Sequence, residues 1–367
     1  MVRHMKTPLS IYIHVPFCAA KCIYCDFLSY AGCDEGKIGA YVAALCNDIA
    51  SFGQDFDGFC VETVFFGGGT PSLLTIEQFS QILDVLHKNF FMKDAHLSLE
   101  ANPDTVNTEY LKNLYKIGFR RISFGVQSFD DAHLAAIGRV HDAQSAVNAV
   151  KMAHDAGFAD INLDLIYSLP HQTLADFEKC LDIALSLPIT HVSCYSLTVE
   201  DGTPLADKHC SPLRDAMADE EADRAMFALA MKKLALADFE HYEISNWARR
   251  GFCCRHNVGY WTHRQYVGFG LSSASFFGNK RYKKTDDIDA YIDGDFAFVL
   301  TEELDAAALA TEQKILGLRM MKGIDKSLSC EKIEKFLRQG LLVEKDGKIA
   351  LSPKGIDLSN MIFSELL

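Results

Sequence analysis

The chain has 367 residues, of which 49% are hydrophobic, a length sufficient for one large core and a smaller second domain. Its formal net charge of −13 argues against a nucleic-acid partner, because binding phosphates requires clustered lysine and arginine. The sequence shows neither an apolar signal core at its start nor a run of roughly 18 apolar residues. We therefore expect a cytoplasmic protein whose 12 cysteines are free thiols or metal ligands.

Short apolar runs alternate with amphipathic segments from residue 10 to about residue 200. Thr75 with Gln78, and Thr173 with Asp176, stand where capping boxes would begin two helices. Strands that alternate with helices imply parallel βα units with right-handed crossovers. Six units are too few for a closed eight-fold barrel, so we predict an α/β fold with an open partial barrel rather than a flat doubly wound sheet. The predicted strands are 10–15, 61–66, 96–101, 120–126, 159–167 and 190–197, and the predicted helices are 75–89, 142–156 and 173–187.

Polar or glycine-rich residues accompany the end of each predicted strand. In barrel-like α/β proteins the carboxyl ends of the strands build one active site, so the pattern predicts a single convergent site. Taken alone, Glu100 or Asp164 could equally be a residue that caps a loop. In chain order the strands lead to the cysteines near residue 20, "GGGTP" (67–71), Glu100, Gln127, Asp164, and Tyr195 with Ser196.

The stretch "PFCAAKCIYCDF" (16–27) places Cys18, Cys22 and Cys25 at the spacing C-x3-C-x2-C. Thiolates at such short intervals suit an iron–sulfur cluster or zinc. Zinc would need a fourth protein ligand, and His14, within the first strand, need not face the loop. A cubane held by three cysteines leaves one iron open, which predicts an exchangeable fourth ligand such as a cofactor.

The cysteine spacing, its position after the first strand and the glycine-rich second loop resemble the radical S-adenosylmethionine (SAM) superfamily. The resemblance implies a partial (β/α)6 barrel, a [4Fe–4S] cluster on Cys18, Cys22 and Cys25, and SAM bound to the open iron. It also implies that reduction of SAM yields a 5′-deoxyadenosyl radical. By the same resemblance Tyr24 lies near the adenine, and "GGGTP" receives the methionine amino group, where glycine permits close approach.

The resemblance narrows to the branch that is similar to oxygen-independent coproporphyrinogen III oxidase, and it covers nearly the whole chain. It is carried by stretches such as "LEANPDT", "RRISFGVQSFDDAHLAAIGRVH" and "INLDLIYSLPHQT". Carboxylates at Glu100 and Asp164 can accept hydrogen bonds from ribose hydroxyls or an ammonium group, and Arg139 can pair with a carboxylate. The implied SAM-binding residues are Tyr12, Tyr24, Gly68, Gly69, Thr70, Glu100, Gln127, Arg139 and Asp164.

Within this branch the oxidase motif continues with a further cysteine, where this chain has Phe27. Only 11 residues precede Tyr12, whereas the oxidase has a longer N-terminal extension. Both features resemble the HemW group of heme chaperones, which implies heme as a ligand and a heme-accepting hemoprotein as a partner. The group also implies an electron donor such as flavodoxin or ferredoxin, and peripheral contact with a membrane during heme delivery. The alternative is a radical SAM tetrapyrrole enzyme, either a decarboxylase or a heme-modifying methyltransferase.

The stretch "HNVGYW" (256–261) is similar to a motif of the HemW group. An imidazole is a common axial ligand of heme iron, so His256 is the candidate heme ligand. The alternative is structural, with His256 capping a helix while Tyr260 and Trp261 pack in the core. Cys253 and Cys254 do not form C-x-x-C-H, which indicates buried free thiols. Relatives commonly have a histidine where this chain has Ala274.

The composition changes near residue 301, and we predict domains at 1–290 and 300–367. The second resembles a small winged helix, with a hairpin turn at "KDGK" (345–348). A DNA-binding module is a third hypothesis, which the mixed charges of "EKIEKFLRQG" (331–340) disfavour. We expect this domain to cover the open side of the barrel.

Overall fold

A computed structural model describes residues 6–52 and 58–367. The strands are β1 (Thr7–Val15), β2 (Phe17–Cys18), β3 (Tyr30–Ala31), β4 (Phe59–Gly68), β5 (His96–Ala101), β6 (Phe119–Gln127), β7 (Asp160–Tyr167), β8 (His191–Ser196), β9 (Glu240–Glu243), β10 (Asn246–Ala248), β11 (Tyr266–Phe269), β12 (Ala274–Phe277), β13 (Lys280–Lys283), β14 (Val299–Glu303), β15 (Ile324–Asp325), β16 (Leu342–Lys345) and β17 (Lys348–Leu351). The helices are α1 (Glu35–Phe52), α2 (Ile76–Asn89), α3 (Thr108–Lys116), α4 (Asp131–Ala136), α5 (Ala143–Asp155), α6 (Leu174–Leu185), α7 (Ser211–Asp215), α8 (Glu220–Leu236), α9 (Arg255–Trp261), α10 (Ile288–Ile292), α11 (Ala306–Arg319), α12 (Glu331–Arg338), α13 (Pro353–Asp357) and α14 (Ser359–Leu366).

The main sheet has 12 strands in the order β14-β13-β12-β11-β1-β4-β5-β6-β7-β8-β10-β9. The strands from β11 to β8 in this order run parallel, and the strands outside them pair antiparallel. All six predicted strands are present, as β1 and β4 to β8, and they lie side by side in chain order. The alternation of strands and helices therefore produced the parallel βα units that we predicted.

Local sequence signals begin the helices where we expected them. The side chain of Thr75 accepts from the Gln78 N–H, and the side chain of Gln78 accepts from the Thr75 N–H. Thr173 and Asp176 form the same reciprocal pair at the start of α6. Helix α2 then buries apolar residues at helical spacing, and its Phe79 packs edge-on against Phe66 of β4 at 5.3 Å between ring centroids.

The main sheet is curved, because strands that are far apart in its order line one cavity. Tyr12 of β1 and Tyr195 of β8 both line an inner cavity of about 130 Å³. Four strands lie between β1 and β8, so a flat sheet would hold these strands about 24 Å apart. The outermost strands are β14 and β9, which do not pair with each other. The predicted open partial barrel is therefore confirmed.

The C-terminal segment has a sheet and a core of its own. Strands β15, β17 and β16 form an antiparallel sheet, and Phe336 and Ile349 are fully buried within a separate apolar cluster. Asp346 and Gly347 have φ of 52° and 73°, the pair of positive angles that a type I′ hairpin turn requires, which confirms the turn at "KDGK". The domain limits of 1–290 and 300–367 stay a prediction. Among residues 6–52 and 58–367, no helix is long and apolar enough to cross a membrane.

Candidate functional site

The cysteine loop leaves the carboxyl end of β1 and is closed at its base by the short strands β2 and β3, in which Cys18 lies opposite Ala31. Within the loop, the Cys25 N–H donates to the Cys22 carbonyl at 3.3 Å, which turns the chain between these residues. Cys18, Cys22 and Cys25 are free and half-buried, and all three line one cavity of about 380 Å³. Burial raises the pKa of the Cys25 thiol, and the neighbouring Cys22 and Cys18 raise it further. A cation at this position would therefore favour the thiolate form.

The glycine-rich loop after β4 packs directly on the cysteine loop. A Cβ atom at Gly69 would lie 2.6 Å from the carbonyl oxygen of Phe17, and Gly68 has a φ of +111°. The Thr70 N–H donates to the same Phe17 carbonyl at 2.6 Å, and the Thr70 hydroxyl lies 3.6 Å from the Cys18 sulfur. Only glycine fits at Gly68 and Gly69 without displacing the neighbouring chain. The two loops therefore form one unit.

Two carboxyl groups lie at the ends of β5 and β7, on the wall of the same cavity. Glu100 Oε2 accepts from the Gly68 N–H at 3.2 Å, which ties β5 to the glycine loop. Burial, with a smaller effect from Asp164, raises the pKa of Glu100 from 4.5 to about 8. Asp164 accepts from the Ser123 hydroxyl at 2.9 Å and from Asn162 Nδ2 at 2.8 Å, and burial raises its pKa too. At neutral pH, Glu100 is therefore mostly a protonated acid that can donate one hydrogen bond.

Arg139 follows α4 and reaches into the site instead of into solvent. Its guanidinium donates to Asn102 Oδ1 at 2.8 Å, to the Gly125 carbonyl and to the Cys22 sulfur at 3.5 Å. Its buried Nε has no partner. Gln127, at the end of β6, lines the same cavity with a φ of +65°, which is uncommon for a residue other than glycine.

Two buried histidines near this cavity contact hydroxyl groups. His14 Nε2 lies 3.0 Å from the Leu28 carbonyl and must carry the proton there, so His14 Nδ1 accepts from the Tyr12 hydroxyl at 3.0 Å. His256 is only 2% exposed, with Nδ1 2.9 Å from the Thr63 hydroxyl and Nε2 2.9 Å from the Tyr260 hydroxyl. Burial lowers the pKa of His256 to about 3, so its ring is neutral.

The predicted cluster and SAM residues thus share one place in the structure. All of them except Tyr12 line the cavity of about 380 Å³, and Tyr12 lines the inner cavity of about 130 Å³ together with His256. Glu100, Asp164 and Tyr195 line both cavities and form the wall between them.

Comparison with known proteins identifies the family. The Radical SAM superfamily profile matches residues 12–184. The heme chaperone HemW of Bacillus subtilis is 34% identical over 380 aligned positions, which cover 98% of this chain and 99% of that protein. HemW of Escherichia coli is 38% identical over 267 positions, covering 72% and 69% of the two chains. The chain belongs to the HemW family of radical SAM proteins.

The fold of this HemW-family chain matches a solved structure over almost its full length. Coproporphyrinogen III oxidase (HemN) from Escherichia coli, a radical SAM enzyme, superposes with a TM-score of 0.85. The match covers 98% of this chain and 90% of HemN at 22% sequence identity, so it establishes a common fold. The predicted resemblance to the radical SAM superfamily and its HemW branch is confirmed.

The motif "HNVGYW" of the HemW-family chain forms α9, and the structure shows what heme ligation there would require. The N-cap of this helix is Cys254, whose side chain makes no capping hydrogen bond. His256 therefore does not cap the helix, as the structural alternative had assumed. Its ring stacks on Phe65 at 5.1 Å. To bind iron, the ring would have to give up a hydroxyl partner. His256 as a heme ligand stays a prediction.

Several site residues were not predicted. Asn102 donates to the Thr70 hydroxyl at 3.3 Å, and Asn162 is fixed by His191, whose Nδ1 lies 2.5 Å from Asn162 Oδ1. Asn162 lies two positions before Asp164 on the same strand, and alternate strand residues share a face. This periodicity was the available signal for Asn162. No comparable signal marks His191, because its partner lies on a neighbouring strand.

Proposed function

We propose that this chain is a heme chaperone that binds a [4Fe–4S] cluster, SAM and heme, and that it transfers heme to an acceptor protein. The observation that carries the proposal is the convergence of Cys18, Cys22 and Cys25 with the other predicted cofactor residues on one cavity of about 380 Å³. Relatives that match nearly the whole chain are named heme chaperones, which supports heme and an acceptor hemoprotein as partners.

The residues around the cysteines suit an iron–sulfur cluster. Three free thiols provide soft ligands, and the Thr70 hydroxyl and Arg139 guanidinium lie near the sulfurs of Cys18 and Cys22 at 3.6 and 3.5 Å. Hydrogen bonds to cluster sulfurs and positive charge beside them tune the reduction potential. Arg139 places such a positive charge beside the Cys22 sulfur.

The other residues that line the outer cavity suit SAM. When bound, SAM would supply a bond that transfer of one electron can cleave. Gly68 and Gly69 let the glycine-rich loop pack against His14 and the cysteine loop, since a side chain at either position would collide with the protein. The carboxyl oxygens of Glu100 and Asp164 can accept hydrogen bonds from hydroxyl groups of a ligand, and the Arg139 guanidinium supplies positive charge on the same wall. Tyr24 lines the same cavity and offers a ring face.

The test is reconstitution without oxygen, followed by titration with SAM and with heme. We expect one cluster per chain, saturable SAM binding that requires the cluster, and a heme complex that loses its heme to an apo-hemoprotein. The transfer is measured by the Soret spectrum of the acceptor. A reconstituted protein that binds SAM but takes up no heme would exclude the chaperone function and leave the radical SAM site intact.

A second candidate is a radical SAM enzyme that acts on a tetrapyrrole. The observation in its favour is Glu100, a buried carboxyl group on the wall of the outer cavity, whose raised pKa of about 8 suits proton transfer near neutral pH. This candidate requires an electron donor such as flavodoxin or ferredoxin. Formation of 5′-deoxyadenosine in amounts that depend on added tetrapyrrole would favour it.

A further inference from the structure

The two cavities differ in size, and neither accommodates a heme together with the proposed cofactor. The inner cavity, which His256 lines, has a volume of about 130 Å³. Pockets for drug-sized ligands are roughly 300–1,000 Å³, so a heme macrocycle does not fit there. The outer cavity of about 380 Å³ suits one such ligand, and the proposed function assigns it to SAM. The macrocycle therefore needs a position outside both cavities.

The outer cavity opens to solvent beside an aromatic residue that is held in an exposed position. Phe27 is 62% exposed, although large apolar side chains are usually buried. Its backbone is fixed, because the Lys21 ammonium at 3.2 Å and the Ser29 hydroxyl at 3.3 Å both donate to the Phe27 carbonyl. Tyr195, at the end of β8, lines the same cavity and is 40% exposed. Phe27 is thus available to a ligand at the opening, and Tyr195 offers a second aromatic side chain on the wall shared with the inner cavity.

Lys21 supplies one positive charge beside Phe27, and Asp26 and Glu200 line the same cavity with carboxyl groups. The Lys21 ammonium has three donors, of which the Phe27 carbonyl takes one. Lys21 and Phe27 belong to the same anchored loop, so a cation lies next to an exposed ring. An apolar macrocycle with carboxylate side arms can bury its face on Phe27 while a carboxylate pairs with Lys21.

We propose that the mouth of the outer cavity, defined by Lys21 and Phe27, is the binding site for the tetrapyrrole. The ring lies against Phe27, and one carboxylate lies near Lys21. This inference rests on the proposed heme-binding function and specifies its location. It also means that bound heme covers the exit of the SAM cavity.

The test compares heme affinity of the cluster-loaded wild type with that of two serine variants. Phe27→Ser should weaken heme binding about tenfold, which corresponds to about 1.4 kcal/mol and lies within the range for burying most of an apolar side chain. The matched control is Phe91→Ser, because Phe91 is 50% exposed but lies before β5, at the opposite end of the parallel strands. The control should bind heme as the wild type does. Lys21→Gln should weaken binding about threefold and reduce its salt dependence.

The outcomes separate this inference from the proposed function. If the wild type binds no heme, the chaperone function fails. If the wild type binds heme and Phe27→Ser, with unchanged iron content and circular dichroism, binds it equally well, the mouth is not the site. Loss of heme binding in His256→Ala, with Phe27→Ser unaffected, would place the heme at the inner cavity. Slower cluster reduction by flavodoxin in Phe27→Ser, with unchanged heme affinity, would assign the mouth to a protein partner and overturn the inference.

Discussion

Glu100 should make the stability of the protein depend on pH in a predictable direction. Its pKa is about 8 in the folded chain and 4.5 as its ordinary value. Between these values the folded state binds more protons than the unfolded state, so the free energy of unfolding falls as the pH rises. Each pH unit in this window costs about 1.4 kcal/mol, or roughly 3–4 kcal/mol between pH 5 and pH 8. Above pH 8 the effect levels off, because both states are then ionised.

The variant Glu100→Gln isolates this effect, since the amide oxygen can still accept from the Gly68 N–H but the side chain no longer titrates. Near pH 5 it should be about as stable as the wild type, and at pH 8.5 more stable by roughly 3–4 kcal/mol. Urea unfolding of the cluster-free protein under reducing, oxygen-free conditions measures the difference. Glu109→Gln removes an exposed carboxyl from α3 and should follow the wild type. Parallel curves for the wild type and Glu100→Gln from pH 5 to pH 8.5 would refute the reasoning.

Three further predictions concern the cluster and the two loops that surround it. Replacement of Cys18, Cys22 and Cys25 together by alanine should abolish bound iron and its thiolate-to-iron absorption. The control variants Cys33→Ala and Cys60→Ala should leave both unchanged. Iron retained in the triple variant would contradict the assignment of the cluster ligands. Phe27 stands where the oxidase has a further cysteine, so the protein should not convert coproporphyrinogen III with SAM and reductant to protoporphyrinogen above background, as measured by chromatography. Turnover comparable with that of an oxidase would overturn the chaperone function. Gly69→Ala places a Cβ 2.6 Å from the Phe17 carbonyl and should lower SAM affinity at least tenfold by calorimetry, whereas Gly39→Ala, where the Cβ meets open space, should not. Equal SAM affinity in the two glycine variants would contradict the close packing of the loops.

The parts of the fold that the sequence predicted are those specified by local patterns. Apolar runs identified six strands, and hydroxyl and carboxyl or amide residues three positions apart identified the starts of two helices. The same approach missed β11, which has only four residues and pairs with β1 across about 250 positions of sequence. Its apolar residues are too few to show a period, and its partner cannot be deduced from neighbouring residues. The antiparallel strands β9, β10 and β12 to β14 escaped prediction for the same reason.

For the candidate site, the sequence indicated the residue types but not their environments. Strand ends and family motifs identified Glu100, Asp164 and the cysteines, because parallel strands place their carboxyl ends at one edge of the sheet. The state of His256 could not be predicted, since its partner Thr63 is 193 positions away. The size of the inner cavity is likewise a property of side chains from several strands and α9. Yet the small volume of the inner cavity is the observation that argues against a simple interpretation of His256 as the heme ligand.

Hydrogen bonds that meet at Tyr242 connect Asp164, on the wall of the outer cavity, to the C-terminal segment. Asn162 Nδ2 donates to Asp164, so its Oδ1 accepts from His191 Nδ1, and His191 Nε2 must then accept from the Tyr242 hydroxyl at 2.8 Å. The Tyr242 carbonyl in turn accepts from the Met321 N–H at 3.0 Å, just after α11. Asp164 therefore depends for its orientation on contacts that reach beyond the barrel. The C-terminal segment thus contacts, through Tyr242, the hydrogen bonds that orient Asp164, and its predicted position over the open side of the barrel stays a prediction.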